Sequence, residues 1–103
     1  MFKVCYFVPE SHLEITKRAL FEAGAGKIGD YDSCAWQCQG KGQFRPLAGS
    51  DPFLGEQGEL EVVTEFKVEL VCVEDRIQGA IAALKQAHPY EEPAYEVFRL
   101  EVF

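Results

Sequence analysis

The 103-residue chain has room for one hydrophobic core, and 48% hydrophobic with 26% charged residues is the balance of a folded domain rather than a disordered segment. Seventeen Asp and Glu stand against ten Lys and Arg, a formal charge of −7, and the basic residues are scattered, which argues against nucleic acid as a partner. No apolar run reaches the length of a membrane span and no secretory signal pattern opens the chain, so the sequence predicts a soluble, cytoplasmic protein with no membrane partner.

Phe2 to Val8 are rich in aromatic and β-branched residues and are closed by Pro9, which predicts a strand. Ser11-His12-Leu13-Glu14 has the spacing of a capping box, with a helix to follow. Its inner stripe is Leu13, Thr16, Leu20 and Ala23, and Gly24 and Gly26 offer the left-handed conformations that end it. His12 falls on the surface and receives no role. After a turn at Gly29-Asp30, the alternation of Tyr31 to Gln39 predicts a second strand with Cys34, Trp36 and Cys38 on one side. Leu60 to Val73 predict a third, Phe66, Val68, Leu70 and Cys72 pointing inward and Glu65, Lys67 and Glu69 outward. Ile77, Ala80, Ile81, Leu84 and Ala87 mark a helix over Asp75 to Ala87, ended by His88-Pro89. Tyr95 to Phe103 read as the last strand.

The order is β-α-β-β-α-β. When Glu10 is laid on Glu74, Val4 falls on Val68, Ala19 on Ala83, Leu20 on Leu84 and Ala23 on Ala87, the internal repeat of a split β-α-β unit. The expected fold is therefore α+β and ferredoxin-like, a single domain over residues 1–103 with an antiparallel sheet and both helices on one face. The other face would carry Cys5, Phe7 and Val71 among Lys3, Lys67 and Glu69, and self-association is the simplest way to cover it. Cys5, Cys34, Cys38 and Cys72 form no CxxC pair and are expected as reduced, mostly buried thiols.

Two segments break the pattern. Gly40 to Glu59 hold five of the nine glycines and two of the five prolines, and Phe44, Leu47, Phe53 and Leu54 give this long connection something to bury. Lys41 and Arg45 within it are candidates to meet an anionic ligand or an acidic patch on another subunit, although no phosphate-cradling GxxxxGK[ST] spacing is present. The second segment is His88-Pro89-Tyr90-Glu91-Glu92-Pro93, in which two prolines stiffen a corner bearing an imidazole, a phenol and two carboxylates. His88, Tyr90, Glu91 and Glu92 are candidate ligand- or partner-binding residues. An alternative takes His88, Glu91 and Glu92, joined by a cysteine of a neighbouring subunit, as ligands to zinc or copper. A third takes His88 and Glu91 as an acid–base pair. No HExxH, GxSxG, glycine-rich dinucleotide turn or Cys–His pair of suggestive spacing occurs, so no enzyme activity is expected.

The stretches FVPESH, ALFEAGAGKIGDYDSCAW, GxFRPLxGSxPFxGExG and ALKQAHPYEEPAYEV together closely resemble the insert domain in the middle of the longer NGG-interacting-factor-three-type proteins, a hexameric family with a dinuclear metal centre. The resemblance covers essentially the whole chain and identifies it as a stand-alone relative of that insert. It implies a fold like the CutA and PII signalling proteins, which form trimers through the open sheet face. It also implies that the paired metals of the longer proteins are held in flanking halves to which no motif of this chain corresponds. A purine-nucleotide cyclohydrolase activity is therefore not implied for this segment. The resulting expectation is a non-enzymatic, trimeric regulatory module that binds a small ligand or a protein, with a cation-tolerance role of the CutA kind as the alternative.

Overall fold

A computed structural model describes residues 1–103. Six main elements follow in order: β1 (Phe2–Pro9), α1 (Leu13–Glu22), β2 (Trp36–Phe44), β3 (Glu61–Cys72), α2 (Ile77–Ala87) and β4 (Tyr95–Arg99). A short 3-10 turn precedes each helix, at Glu10–His12 and at Glu74–Arg76. The strands lie in the order β2-β3-β1-β4 and every neighbouring pair is antiparallel. This is the ferredoxin-like α+β arrangement that the element order predicts.

Alternation on the two central strands decides which face receives the helices. Val4, Tyr6 and Val8 of β1 and Val68, Leu70 and Cys72 of β3 pack against Leu13 and Leu20 of α1 and Ala80 and Leu84 of α2. The internal repeat survives in space, because Val4 with Val68 and Leu20 with Leu84 are all fully buried. The one phenol in this core is satisfied: the Tyr6 hydroxyl donates to Thr16 Oγ1 at 2.9 Å, and Thr16 donates to the His12 carbonyl at 2.8 Å. Burial pushes the Tyr6 phenol up to about 12.

Three sequence expectations shift. The capping box does not form, because Ser11 lies inside the 3-10 turn, where its Oγ lies 2.8 Å from His12 Nδ1, and α1 starts without a side-chain cap. The second strand begins at Trp36 rather than Tyr31. Residues ahead of it turn tightly, with Ser33 at a φ of 56° and an Ile28–Tyr31 bridge. It then continues through Gly40 and Gly42 to Phe44, so the long connection runs over residues 45–60 instead of 40–59. The ladder to β3 overrides the weak strand preference of glycine. The last strand ends at Arg99, not Phe103: Phe2 with Arg99 is the last pair of the ladder to β1, and beyond it the Leu100 N–H donates to the Met1 carbonyl.

The last β1–β3 pair is Pro9 with Glu65, whereas β2 and β3 stay paired out to Phe44 with Glu61. The β2–β3 hairpin therefore projects past the end of β1, and residues 45–60 must turn back from its tip. No helix is long and apolar enough to cross a membrane.

A candidate binding cavity beneath the long loop

On the face turned away from the helices, cross-strand register brings Phe7 of β1, Glu65 and Lys67 of β3, and Cys38, Gly40, Gly42 and Phe44 of β2 into one region. The two glycines leave β2 bare there, and the Glu65 side chain occupies the space over Gly42 while that over Gly40 stays open. A Cβ at Gly42 would run directly into the Glu65 carboxylate. The returning loop and the proline-bounded corner then close over this region. Asp51 N–H donates to Glu91 Oε2 at 2.7 Å. The Tyr90 ring centroid lies 5.9 Å from that of Phe44 and 6.3 Å from that of Phe53, and His12 meets Phe53 edge-on at 5.6 Å. Within the loop, Gly58 N–H donates to the Pro46 carbonyl at 2.8 Å, which closes it on itself.

Between these walls lies a cavity of about 320 Å³ whose apolar lining includes Phe7, Phe44, Pro46, Pro52, Phe53 and Leu54. Its polar side chains include Glu65, Tyr90, Glu91 and Glu92. Glu65 is 9% exposed, and its Oε2 accepts the Tyr90 hydroxyl at 2.8 Å. Burial first, then the hydrogen bond and charge of Glu65, push the Tyr90 phenol above its ordinary range, so it remains a donor.

His88 stands behind the cavity and holds the corner. Only Nε2–H can face the Phe7 carbonyl, 2.7 Å away, and only an unprotonated Nδ1 can accept the Tyr90 N–H at 3.1 Å. The ring is thus fixed as the neutral Nε2–H tautomer, 6% exposed, and burial holds its pKa below the ordinary imidazole value. Of the candidates read from sequence, Tyr90, Glu91 and Glu92 line the cavity. Lys41 and Arg45 are exposed outside it, and His88 serves as the fastening beneath it. The proposed zinc or copper set of His88, Glu91 and Glu92 is not assembled. Both ring nitrogens are committed to backbone groups, and no three His, Cys, Asp or Glu side chains are grouped to hold a metal ion. The same commitment removes His88 from acid–base work with Glu91.

Glu65 and His12 were not legible as site residues. Glu65 read as one outward acid among several, and only its register opposite the bare glycines distinguishes it. Gly42→Ala is expected to displace the Glu65 carboxylate while costing the fold no more than about 1 kcal/mol, since a flexible side-chain end is what must move. Tyr90 ring resonances followed against pH check this: the phenol should titrate at lower pH in the variant than in the parent.

No family model matches the chain. A "GTP cyclohydrolase 1 type 2 homolog" of Halalkalibacterium halodurans is 43% identical over 100 residues, 97% of this chain and 27% of that protein. Its namesake in Mycobacterium leprae is 45% identical over 94 residues, 91% of this chain and 24% of that protein. The chain spans about a quarter of the length of these curated relatives. Among solved structures, the Bacillus cereus protein related to NIF3 superposes with a TM-score of 0.84 at 40% identity, over 98% of this chain and 26% of that one. CutA from Xylella fastidiosa superposes with a TM-score of 0.71 at 20% identity, over 99% of this chain and 85% of CutA. The fold is thus that of CutA and the sequence that of one segment of the longer proteins, which makes the chain a relative of the CutA/PII-like insert domain of the NGG-interacting-factor-three-type family.

Proposed function

We propose that the chain is a non-enzymatic, cytoplasmic binding module that assembles as a homotrimer and takes a small molecule into the cavity beneath its long loop. The observation that carries this reading is the cavity itself. A volume of about 320 Å³ with a mainly apolar wall and a few convergent polar groups is the form of a small-ligand site. Its titratable groups are engaged in holding the fold or are plain carboxylates, so a binding role fits them better than a catalytic one. Phosphates would meet Glu65, Glu91 and Glu92 here, and the nucleotide chemistry in the relatives' name is not assigned to this cavity.

Self-association rests on the rest of the open face and on the resemblance to CutA. Away from the cavity this face presents Trp36 at 58% and Phe98 at 50% exposure, beside Val71 and the buried Cys5. Only the Lys3–Glu69 ion pair, 3.3 Å apart, crosses it. Lys41 and Arg45 remain available on the outside for a protein partner.

Light scattering coupled to size exclusion, with and without zinc or copper, tests the assembly, and a saturation-transfer fragment screen tests the cavity. The expected results are a metal-independent mass of three chains and fragment binding that is lost in Phe53→Ala but kept in Arg45→Ala. A monomer, or a mass that depends on the metal, would overturn the assembly. Fragment binding indifferent to Phe53 would overturn the site.

A further inference from the structure

We infer that the cavity selects a small organic cation, an amine or quaternary ammonium carried on an apolar body. This rests on the small-molecule reading of the cavity and adds the charge of its occupant. Two independent features converge on it. The first is aromatic: the rings of Phe7, Phe44, Phe53 and Tyr90 all line the space, and aromatic faces attract a cation through their quadrupoles. The second is the buried carboxylate. Glu65 is nine-tenths buried, yet it forms no ion pair with any Lys, Arg or His. A carboxylate withdrawn from water calls for a countercharge or a full set of donors. Here Oε2 has the Tyr90 hydroxyl, and Oε1, which has no protein donor, keeps only the contact with solvent that the cavity gives it.

The other ligand classes fit less well. No Lys or Arg lines the cavity, and Glu91 and Glu92 stand at it, so an anion gains nothing and is repelled. A bare metal ion would find no three acidic side chains grouped around one point, where hard cations require six or more oxygens. A neutral molecule would fill the space but leave Glu65 without its countercharge. An ammonium group beside Glu65, with its apolar body among the rings, satisfies both features at once.

The test uses three probes of one shape on the full chain, followed by two-dimensional NMR: 2-phenylethylamine, 2-phenylethanol and phenylacetate. The amine is expected to bind at least tenfold more tightly than the alcohol, with shifts centred on Phe44, Phe53, Glu65 and Tyr90, and phenylacetate is expected not to bind. Glu65→Gln should lower amine affinity about tenfold and leave the alcohol unchanged, while Phe53→Ala should weaken both. Equal binding of amine and alcohol would overturn the cation assignment and leave the cavity reading standing. If none of the three perturbs these residues, the cavity reading fails as well. The amine–alcohol comparison needs only the unmodified chain, so it decides the matter even if Glu65→Gln does not fold.

Discussion

His88→Ala is expected to lower the unfolding free energy by about 3 kcal/mol, combining the loss of a buried ring with a stranded backbone carbonyl. β4 pairs with β1 only as far as Tyr6 with Tyr95. Beyond that pair the Phe7 N–H still reaches the Ala94 carbonyl at 3.2 Å, but the Phe7 carbonyl is served by the imidazole. Removing the ring leaves that carbonyl unpaired and frees the Tyr90 N–H, so the corner that forms one cavity wall loosens too. Urea unfolding should show the lower midpoint, and the variant should lose fragment binding before it loses its fold.

The same ring sets a pH dependence with a definite sign. Burial lowers the folded-state pKa of His88, opposed by the Phe7 hydrogen bond and the Glu65 charge and assisted by His12. Between the folded and the ordinary value of 6.5 the unfolded chain binds the proton and the folded chain does not. The stabilising contribution is therefore complete above that ordinary value and is lost as pH falls through the folded one. Midpoints measured from pH 7.5 down to 5.5 should decline in the parent. His88→Gln, which keeps an N–H donor but cannot titrate, should flatten that decline.

Gly26→Ala carries the second large effect, about 3 kcal/mol, from a left-handed backbone combined with crowding. Its φ is +77°, and a Cβ there would lie 2.8 Å from the Phe21 ring and 3.0 Å from the Cys34 carbonyl. Gly26 also donates to the Val71 carbonyl at 2.7 Å and accepts from Cys34 N–H at 2.8 Å. It thus ties the end of α1 to the outer edge of β3, beyond the first residue of β2. Gly29→Ala is the control, because its φ is +57° but a Cβ would meet nothing, and about 1 kcal/mol is expected. Thermal or urea unfolding of the two variants should separate crowding from conformation.

The alternation of Val4, Tyr6 and Val8 and of Val68, Leu70 and Cys72 was enough to identify the central strands and their inner face. The helical stripe through Ile77, Ala80 and Leu84 did the same for α2. Local pattern failed where a residue's state depends on a partner distant in sequence. Gly40 and Gly42 look like loop residues until the ladder to Glu65 and Val63 holds them in a strand. Ser11 and Glu14 have the capping spacing, but the 3-10 turn after β1 takes Ser11 first. The site shows the same division. The corner residues Tyr90, Glu91 and Glu92 and the aromatic loop could be singled out by composition. Their meeting over Glu65, and the diversion of His88 to a backbone carbonyl, follow from register and closure that no window of sequence contains.

The strand order has a further consequence during synthesis. Both partners of β1, namely β3 and β4, come from the second half of the chain, beginning at Glu61 and Tyr95. Until those residues have been made, Phe2 to Val8 remain an unpaired, strongly β-forming ribbon, the kind of segment that joins copies of itself. Folding must also close a loop of more than fifty residues before the β1–β3 pairing forms, which places it between the fast helical bundles and the slow all-β domains. Yield from cells should therefore depend on temperature and on chaperone supply more steeply than the stability of the finished fold suggests.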